Sequence, residues 1–184
     1  MLKRISEWLL KRLGWKILPL PAERPESSII CVAPHTSNTD FFLGKLYYWS
    51  VGSRSGFLMK KDWFFFPFGS ILRAMGGVPV DRSRKEDTVG KLASYLRKHR
   101  DLHIAITPEG TRKLREKWHS GFYHIAVAAG IPIELAVIDY KRRALGIFEV
   151  FHPTGDSEAD IAYIRSRYSK EQAKYPDQFY ELKA

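Results

Sequence analysis

Two short stretches of the chain carry side chains able to move a proton and to hold an anion. The first is His35-Thr36-Ser37-Asn38-Thr39-Asp40, and the second, much further along, is Pro108-Glu109-Gly110-Thr111-Arg112. A histidine can take a proton from a hydroxyl, a carboxylate beside it can steer the ring, and a separate loop bearing arginine can hold an anionic group. Together these are the parts needed to attach an acyl group to a hydroxyl.

The spacing within the first stretch constrains its geometry. Five residues of regular helix rotate the chain by about 500°, leaving His35 and Asp40 about 140° apart and out of reach of each other. Pro34 and the run Thr36-Ser37-Asn38-Thr39 are turn and N-cap formers. His35 therefore belongs in the loop before a helix and Asp40 in its first turn, with the ring folded back. A carboxylate on Nδ1–H fixes the tautomer and leaves Nε2 to accept a proton.

In the second stretch, Gly110 lets the backbone come close to a ligand, Thr111 offers a hydroxyl and Arg112 a fork of donors that matches phosphate oxygens. Each motif begins where an apolar run ends, Ser28 to Ala33 for the first and His103 to Thr107 for the second. Loops at the carboxyl ends of strands are where α/β proteins usually place their sites.

With these residues in view, the sequence resembles the glycerolipid acyltransferases, the family of lysophosphatidate (1-acylglycerol-3-phosphate) acyltransferases. Their pattern is His-x4-Asp, then a glycine-rich stretch ending Asp-Arg, then Glu-Gly-Thr-Arg. Here it reads His35 to Asp40, Gly76-Gly77-Val78-Pro79-Val80-Asp81-Arg82, and Glu109 to Arg112. Lys60-Lys61-Asp62 with Pro67-Phe68-Gly69 and Arg73 is similar to the second block, and Gly130-Ile131-Pro132-Ile133 to the fourth. The chain departs from the family at Lys113, where serine is common, at Trp118-His119-Ser120-Gly121, and at Glu134-Leu135, which lacks a second proline.

The resemblance implies a catalytic pair, His35 and Asp40, acting on a lysophospholipid-type acceptor with acyl-CoA or acyl carrier protein as thioester donor and no bound cofactor. It also gives Glu109 a part in acceptor binding; on chemical grounds Glu109 could receive a glycerol hydroxyl or hold an arginine in place. Arg82 and Lys60 are candidates to join Gly110, Thr111 and Arg112 around a phosphate, while Lys113, Arg115 and Lys117 read as a solvated rim. The remaining histidines, His99, His103, His119, His124 and His152, read as structural. An acyl chain needs an apolar slot, and Trp63-Phe64-Phe65-Phe66-Pro67-Phe68 is the densest aromatic segment; its side chains are expected to line an acyl channel, to touch lipid or, taken singly, to pack in the core.

Composition bounds the alternatives. At 184 residues the chain is expected to form one domain, 1–184, and 30 Lys and Arg against 20 Asp and Glu give +10, which favours an anionic partner. A basic nucleic-acid-binding module would use that charge, through runs such as Arg82-Ser83-Arg84-Lys85, but neither zinc spacing nor an RNA-binding sheet signature accompanies it. A thioesterase would use His35 and Asp40 with water; no Gly-x-Ser-x-Gly or plausible nucleophile is present. Cys31, the single cysteine, sits in an apolar strand and reads as a small buried side chain in a reducing compartment. No His/Cys/Asp/Glu grouping has metal-ligand spacing.

The elements that must position these groups follow from periodicity. Strands are expected at 28–33, 56–59, 77–80, 103–107, 131–138 and 147–151, and helices at 38–50, 63–74, 86–99, 120–129 and 158–172. This alternation predicts an α/β fold, a mostly parallel or mixed sheet flanked by helices. Leu2, Ile5, Leu9, Leu13 and Ile17 recur along one face with Lys3, Arg4, Glu7 and Lys11 opposite. Residues 1–18 therefore read as an amphipathic helix, suited either to an anionic membrane surface or to the domain's own core. With neither a signal peptide nor a run of eighteen apolar residues, a peripheral protein on the cytoplasmic face of the membrane is expected. The tail beyond Tyr168 reads as loosely held.

Overall fold

The structure, a computed structural model, describes residues 1–80 and 85–182, the side chains of residues 60 and 85–87 excepted. Among the described residues seven strands form one sheet: β1 (Lys16–Ile17), β2 (Ser28–Val32), β3 (Ser55–Lys60), β4 (Gly77–Val80), β5 (His103–Ile106), β6 (Ile133–Asp139) and β7 (Ala144–Phe151). Their order across the sheet is β1-β7-β6-β2-β5-β3-β4. From β6 to β4 every pairing is parallel. β7 returns antiparallel to β6, and β1 lies parallel to β7 at the edge. The sheet is thus mixed, and mostly parallel, as the alternation of elements predicts.

Among the described residues six helices cover it: α1 (Leu2–Arg12), α2 (Thr39–Val51), α3 (Phe68–Ala74), α4 (Lys85–Lys98), α5 (Gly121–Ala129) and α6 (Ser157–Ser166). On one face Leu10 of α1 and Leu43 and Tyr47 of α2 pack on Ile30, Ile138 and Ile147. On the other, Leu92, Leu96, Phe122, Ile125 and Ile164 pack on Ile29, Cys31, Ile104 and Leu135. β2 is covered on both sides, which is why its sequence is a continuous apolar run rather than an alternating one. Each such side chain removed from water contributes about 1.5–3 kcal/mol.

Four expectations need correction. The amino-terminal helix stops at Arg12 and does not run to residue 18. Gly14 takes φ +77°, the Trp15 N–H bonds the Leu10 carbonyl at 2.9 Å and the Gly14 N–H bonds that of Lys11 at 3.0 Å. This is a Schellman end, with Trp15 folding onto Leu10 in the core. Lys16 and Ile17 then leave as β1.

The helix expected at 63–74 begins only at Phe68, after Pro67, with a single 3-10 turn over Lys61–Trp63 before it. Proline, lacking an N–H and fixed in φ, fits a helix start but not its interior. The helix expected at 158–172 ends at Ser166, and Ser169 caps a new 3-10 turn, Lys170–Gln172, through a capping box with Gln172. Nor is the tail loose. Ala173 and Phe179 are buried, and the Tyr168 hydroxyl donates to the Cys31 carbonyl at 2.9 Å.

Because β2, β5 and β6 run parallel, the loops that leave their carboxyl ends meet at one edge of the sheet. His35 follows β2, Glu109 to Arg112 follow β5, and Tyr140 follows β6. The topology alone gathers the two motifs.

Candidate active site

Asp40, buried in the first turn of α2, organises the loop that carries His35. Its Oδ2 accepts from the Thr36 N–H at 3.2 Å and the Ser37 N–H at 3.0 Å. The same oxygen lies 3.0 Å from His35 Nδ1, and the ring, with 19% of its side chain exposed, keeps an open edge. Asn38 is the N-cap residue, but its side chain makes no cap bond. A carboxylate two positions later wraps the loop backward in its place. With Nδ1 turned to the carboxylate as the N–H donor, Nε2 is the basic nitrogen.

Glu109 lies beneath this loop and not on its surface. It is 4% exposed, and its Oε1 accepts from the His35 backbone N–H at 2.9 Å while Oε2 is buried without a partner. Burial pushes its carboxyl up to about 7, only partly opposed by its backbone hydrogen bonds. Gly110 turns the chain away at φ +65°, and a Cβ there would meet His119 Cδ2 at 2.7 Å. Thr111 is half-buried, its hydroxyl accepting from the Lys113 N–H at 3.3 Å. Exposed Arg112 reaches back to bond the Asn38 side-chain oxygen, which ties the two motifs at the surface as Glu109 ties them below. Arg82 lies outside the described residues, as does the Lys60 side chain. His35, Asp40, Glu109, Gly110, Thr111 and Arg112 are thus brought to one place.

The residues missed in the sequence surround Asp40 from behind. The Tyr140 hydroxyl donates to Asp40 Oδ1 at 2.6 Å, and burial followed by the Asp40 carboxylate holds that phenol far above its ordinary range. Lys174 Nζ donates to the Thr39 hydroxyl at 2.9 Å, and the Tyr175 N–H to that of Thr36 at 3.2 Å. With its amide turned to satisfy both neighbours, Gln178 donates to the carbonyls of Thr36 and Arg112 at 3.2 and 2.7 Å. Tyr140 was findable, since it follows a central strand at the edge where sites gather. The tail contacts left no trace in residue spacing.

The other histidines are occupied elsewhere. Buried His103 joins Ser28 and Glu134 in a polar trio, at 2.8 Å from the Ser28 hydroxyl and 3.1 Å from Glu134. His119 meets Arg115 and His152 meets Glu23, each at 2.9 Å, while the rings of His99 and His124 pack beside Tyr95 and Tyr123. Cys31 is fully buried and its thiol is pushed well up by burial, which removes it from nucleophilic chemistry.

Of the aromatic segment, Trp63, Phe65, Phe66 and Phe68 are exposed, as side chains that touch lipid would be, and are not packed into a core. A cleft of about 1010 Å³ lies along β3 and β4, where Trp49, Met75, Val78 and Leu92 meet Lys45 and Arg73. Phe41, Lys45 and Trp49 recur every four residues on α2, one stripe leading from the turn that holds Asp40 toward this cleft. Burial lowers the Lys45 ammonium from its ordinary range, and its Nζ donates to the Ser55 carbonyl at 3.1 Å.

A family model described as Acyltransferase matches residues 19–138, the greater part of the chain and both motifs. The chain belongs to the acyltransferase family. Among curated proteins, the 1-acyl-sn-glycerol-3-phosphate acyltransferase of Escherichia coli strain K12 is 32% identical over 80 residues, which is 40% of this chain and 33% of that protein. The enzyme of the same name from Salmonella typhimurium is 31% identical over 81 residues, again 40% and 33% of the two lengths. The match therefore spans about a third of these relatives. Among solved structures, the 1-acyl-sn-glycerophosphate acyltransferase PlsC of Thermotoga maritima aligns with 89% of this chain and 73% of its own, at TM-score 0.58 and 20% identity. That likeness confirms the acyltransferase fold in this family member. Tyr140 and the tail residues lie beyond the stretch the family model matches.

Proposed function

We propose that this protein moves a fatty acyl group from a thioester donor to the hydroxyl of a lysophospholipid-type acceptor, with 1-acylglycerol-3-phosphate as the acceptor that fits best. His35 is the general base and Asp40 its orienting carboxylate. The observation that carries the reading is the 3.0 Å contact of His35 Nδ1 with Asp40 in a loop tied to Glu109 and Arg112.

The acceptor hydroxyl gives its proton to His35 Nε2 as its oxygen attacks the thioester carbonyl. The tetrahedral intermediate collapses with loss of thiolate, which takes the proton from the imidazolium. A thioester is already activated, so no covalent acyl-enzyme is required. General-base help of this kind is worth roughly 10² to 10⁴ in rate. Arg112 anchors the acceptor's phosphate with a charge-assisted pair of bonds, exchanging Asn38 for phosphate oxygens. Arg82 and Lys60 extend that anion site, and Gly110 and Thr111 shape its backbone. Glu109 serves acceptor binding through the loop it braces.

The donor is acyl-CoA or acyl carrier protein, and the work is done at an anionic membrane surface on the cytoplasmic side. Support for the surface comes from α1, which leaves Leu2, Ile5 and Trp8 exposed beside Lys3, Arg4, Lys11 and Arg12. Anionic lipid adds about 1 kcal/mol per nearby basic residue. Among the described residues no helix is long and apolar enough to cross a membrane.

The test is thiol release from acyl-CoA, with and without lysophosphatidate in lipid vesicles. Acceptor-dependent release in the wild type that vanishes in His35→Ala supports the reading. Release unchanged in His35→Ala overturns the base, and acceptor-independent release turns the protein into a thioesterase.

A further inference from the structure

Asp40 accepts four hydrogen bonds, and three of them come from the loop it organises: the His35 ring and the N–H groups of Thr36 and Ser37, all on Oδ2. The fourth comes from far away in sequence. Tyr140 leaves the end of β6 and donates its hydroxyl to Oδ1 at 2.6 Å.

The half-buried phenol is itself held by several neighbours. Its backbone N–H bonds the Gln172 carbonyl at 3.0 Å, its ring stands edge-on to Trp15 at 5.2 Å, and the Lys174 ammonium lies 5.9 Å from its ring centroid. A rigid donor on the oxygen that the ring does not use is what pins a carboxylate against rotation about its own bond. Without it, Oδ1 loses its donor, and the carboxylate can pivot about Oδ2, the oxygen on which His35 Nδ1 rests.

We propose that Tyr140 is a positioning residue for the reaction: through Asp40 it sets both the orientation of His35 and the pH at which the base becomes available. The proposal rests on His35 being the base. The phenol is a fixed donor, since burial and the neighbouring carboxylate keep it protonated throughout the working range.

Other titratable and charged groups face the pair: Glu109 from below, at the His35 N–H, Arg112 at Asn38, and Lys174 and Tyr175 from the tail. Tyr140→Phe keeps the ring against Trp15 and Lys174 and leaves these groups where they are. It removes one donor from Asp40. The uncompensated carboxylate then holds an imidazolium more tightly, so a larger fraction of His35 is protonated at a given pH. The acidic limb of the rate profile moves up, toward higher pH.

The experiment is the pH dependence of kcat/KM for acyl transfer in wild type, Tyr140→Phe and His35→Ala, with thermal melts alongside. In Tyr140→Phe kcat is expected to fall about tenfold, because a misplaced base costs rate. The KM values for donor and acceptor should stay as they are, with the acidic limb displaced upward. A ring-fluorinated tyrosine at the same position, a stronger donor of the same shape, should displace the limb downward. That second variant decides the matter if Tyr140→Phe folds poorly. Limbs that coincide in wild type, Tyr140→Phe and the fluorinated protein overturn the role of Tyr140. Full activity in His35→Ala overturns instead the reading on which it rests.

Discussion

A single hydrogen bond joins the two motifs beneath the surface: the His35 backbone N–H donates to Glu109 Oε1 at 2.9 Å, while Glu109 Oε2 lies buried with no partner. The contact holds the His35 backbone, and its cost is a desolvated carboxyl. With the folded pKa raised from 4.5 to about 7, the native state binds more protons than the unfolded chain between those values. Stability therefore falls as pH rises from about 4.5 to about 7, and is level beyond. The contribution is on the order of 3 kcal/mol. Glu109→Gln removes this dependence: urea unfolding should find the wild type losing stability relative to the variant across that window. A constant difference from pH 4 to 8 would refute the buried proton.

Arg112 is expected to act on the acceptor and not on the chemistry. Losing one charge-assisted pair costs about 1.5–3 kcal/mol, so Arg112→Ala should raise the acceptor's KM roughly tenfold to a hundredfold with kcat little changed. A comparable loss with a non-phosphorylated acceptor would place Arg112 elsewhere in the cycle.

The two faces of α1 make opposite predictions. Leu10 is buried on the sheet, so Leu10→Ala should cost about 2–5 kcal/mol in unfolding. Ile5 and Trp8 are 46% and 61% exposed. Replacing Ile5 by Ser and Trp8 by Ala should leave the melting temperature nearly unchanged while weakening sedimentation with anionic vesicles about tenfold or more. Vesicle binding that survives the double change would exclude α1 as the lipid contact.

Gly110 is a backbone requirement. At φ +65° Gly110→Ala is strained in its backbone, and a Cβ there also displaces the exposed His119 ring, whose Cδ2 it would meet at 2.7 Å. It should lower stability by more than about 1 kcal/mol and lower activity with the phosphorylated acceptor. Gly121→Ala, where a Cβ meets nothing within 4 Å, is the matched control.

The central strands were legible because β2, β5 and β6 are buried on both faces and betray themselves as apolar runs. His35 and Asp40 were legible together because residues 36–39 are turn formers, and no regular helix lets the pair meet. What failed were the places where one residue overrides a period. The apolar repeat of the first helix runs past Gly14 to Ile17, yet Gly14 ends the helix, and Trp15 turns inward. Ser169 divides the last helix in the same way. The tail misled for another reason. Lys174, Tyr175 and Gln178 bond the loop at Thr36 and Thr39 through long-range contacts, and no local pattern encodes a partner so distant in the chain.

Trp15 closes the end of α1 and also stands against Tyr140, whose hydroxyl reaches Asp40. One aromatic contact thus separates the foot of the amino-terminal helix from the loop that carries His35. If that helix lies on a bilayer, the altitude of the loop above the lipid is dictated by the fold, with no tether to lengthen or shorten it. On the function proposed above, acceptors whose hydroxyl rides at that height would be met in place. Selectivity would then begin with elevation, before any side chain has touched the acceptor.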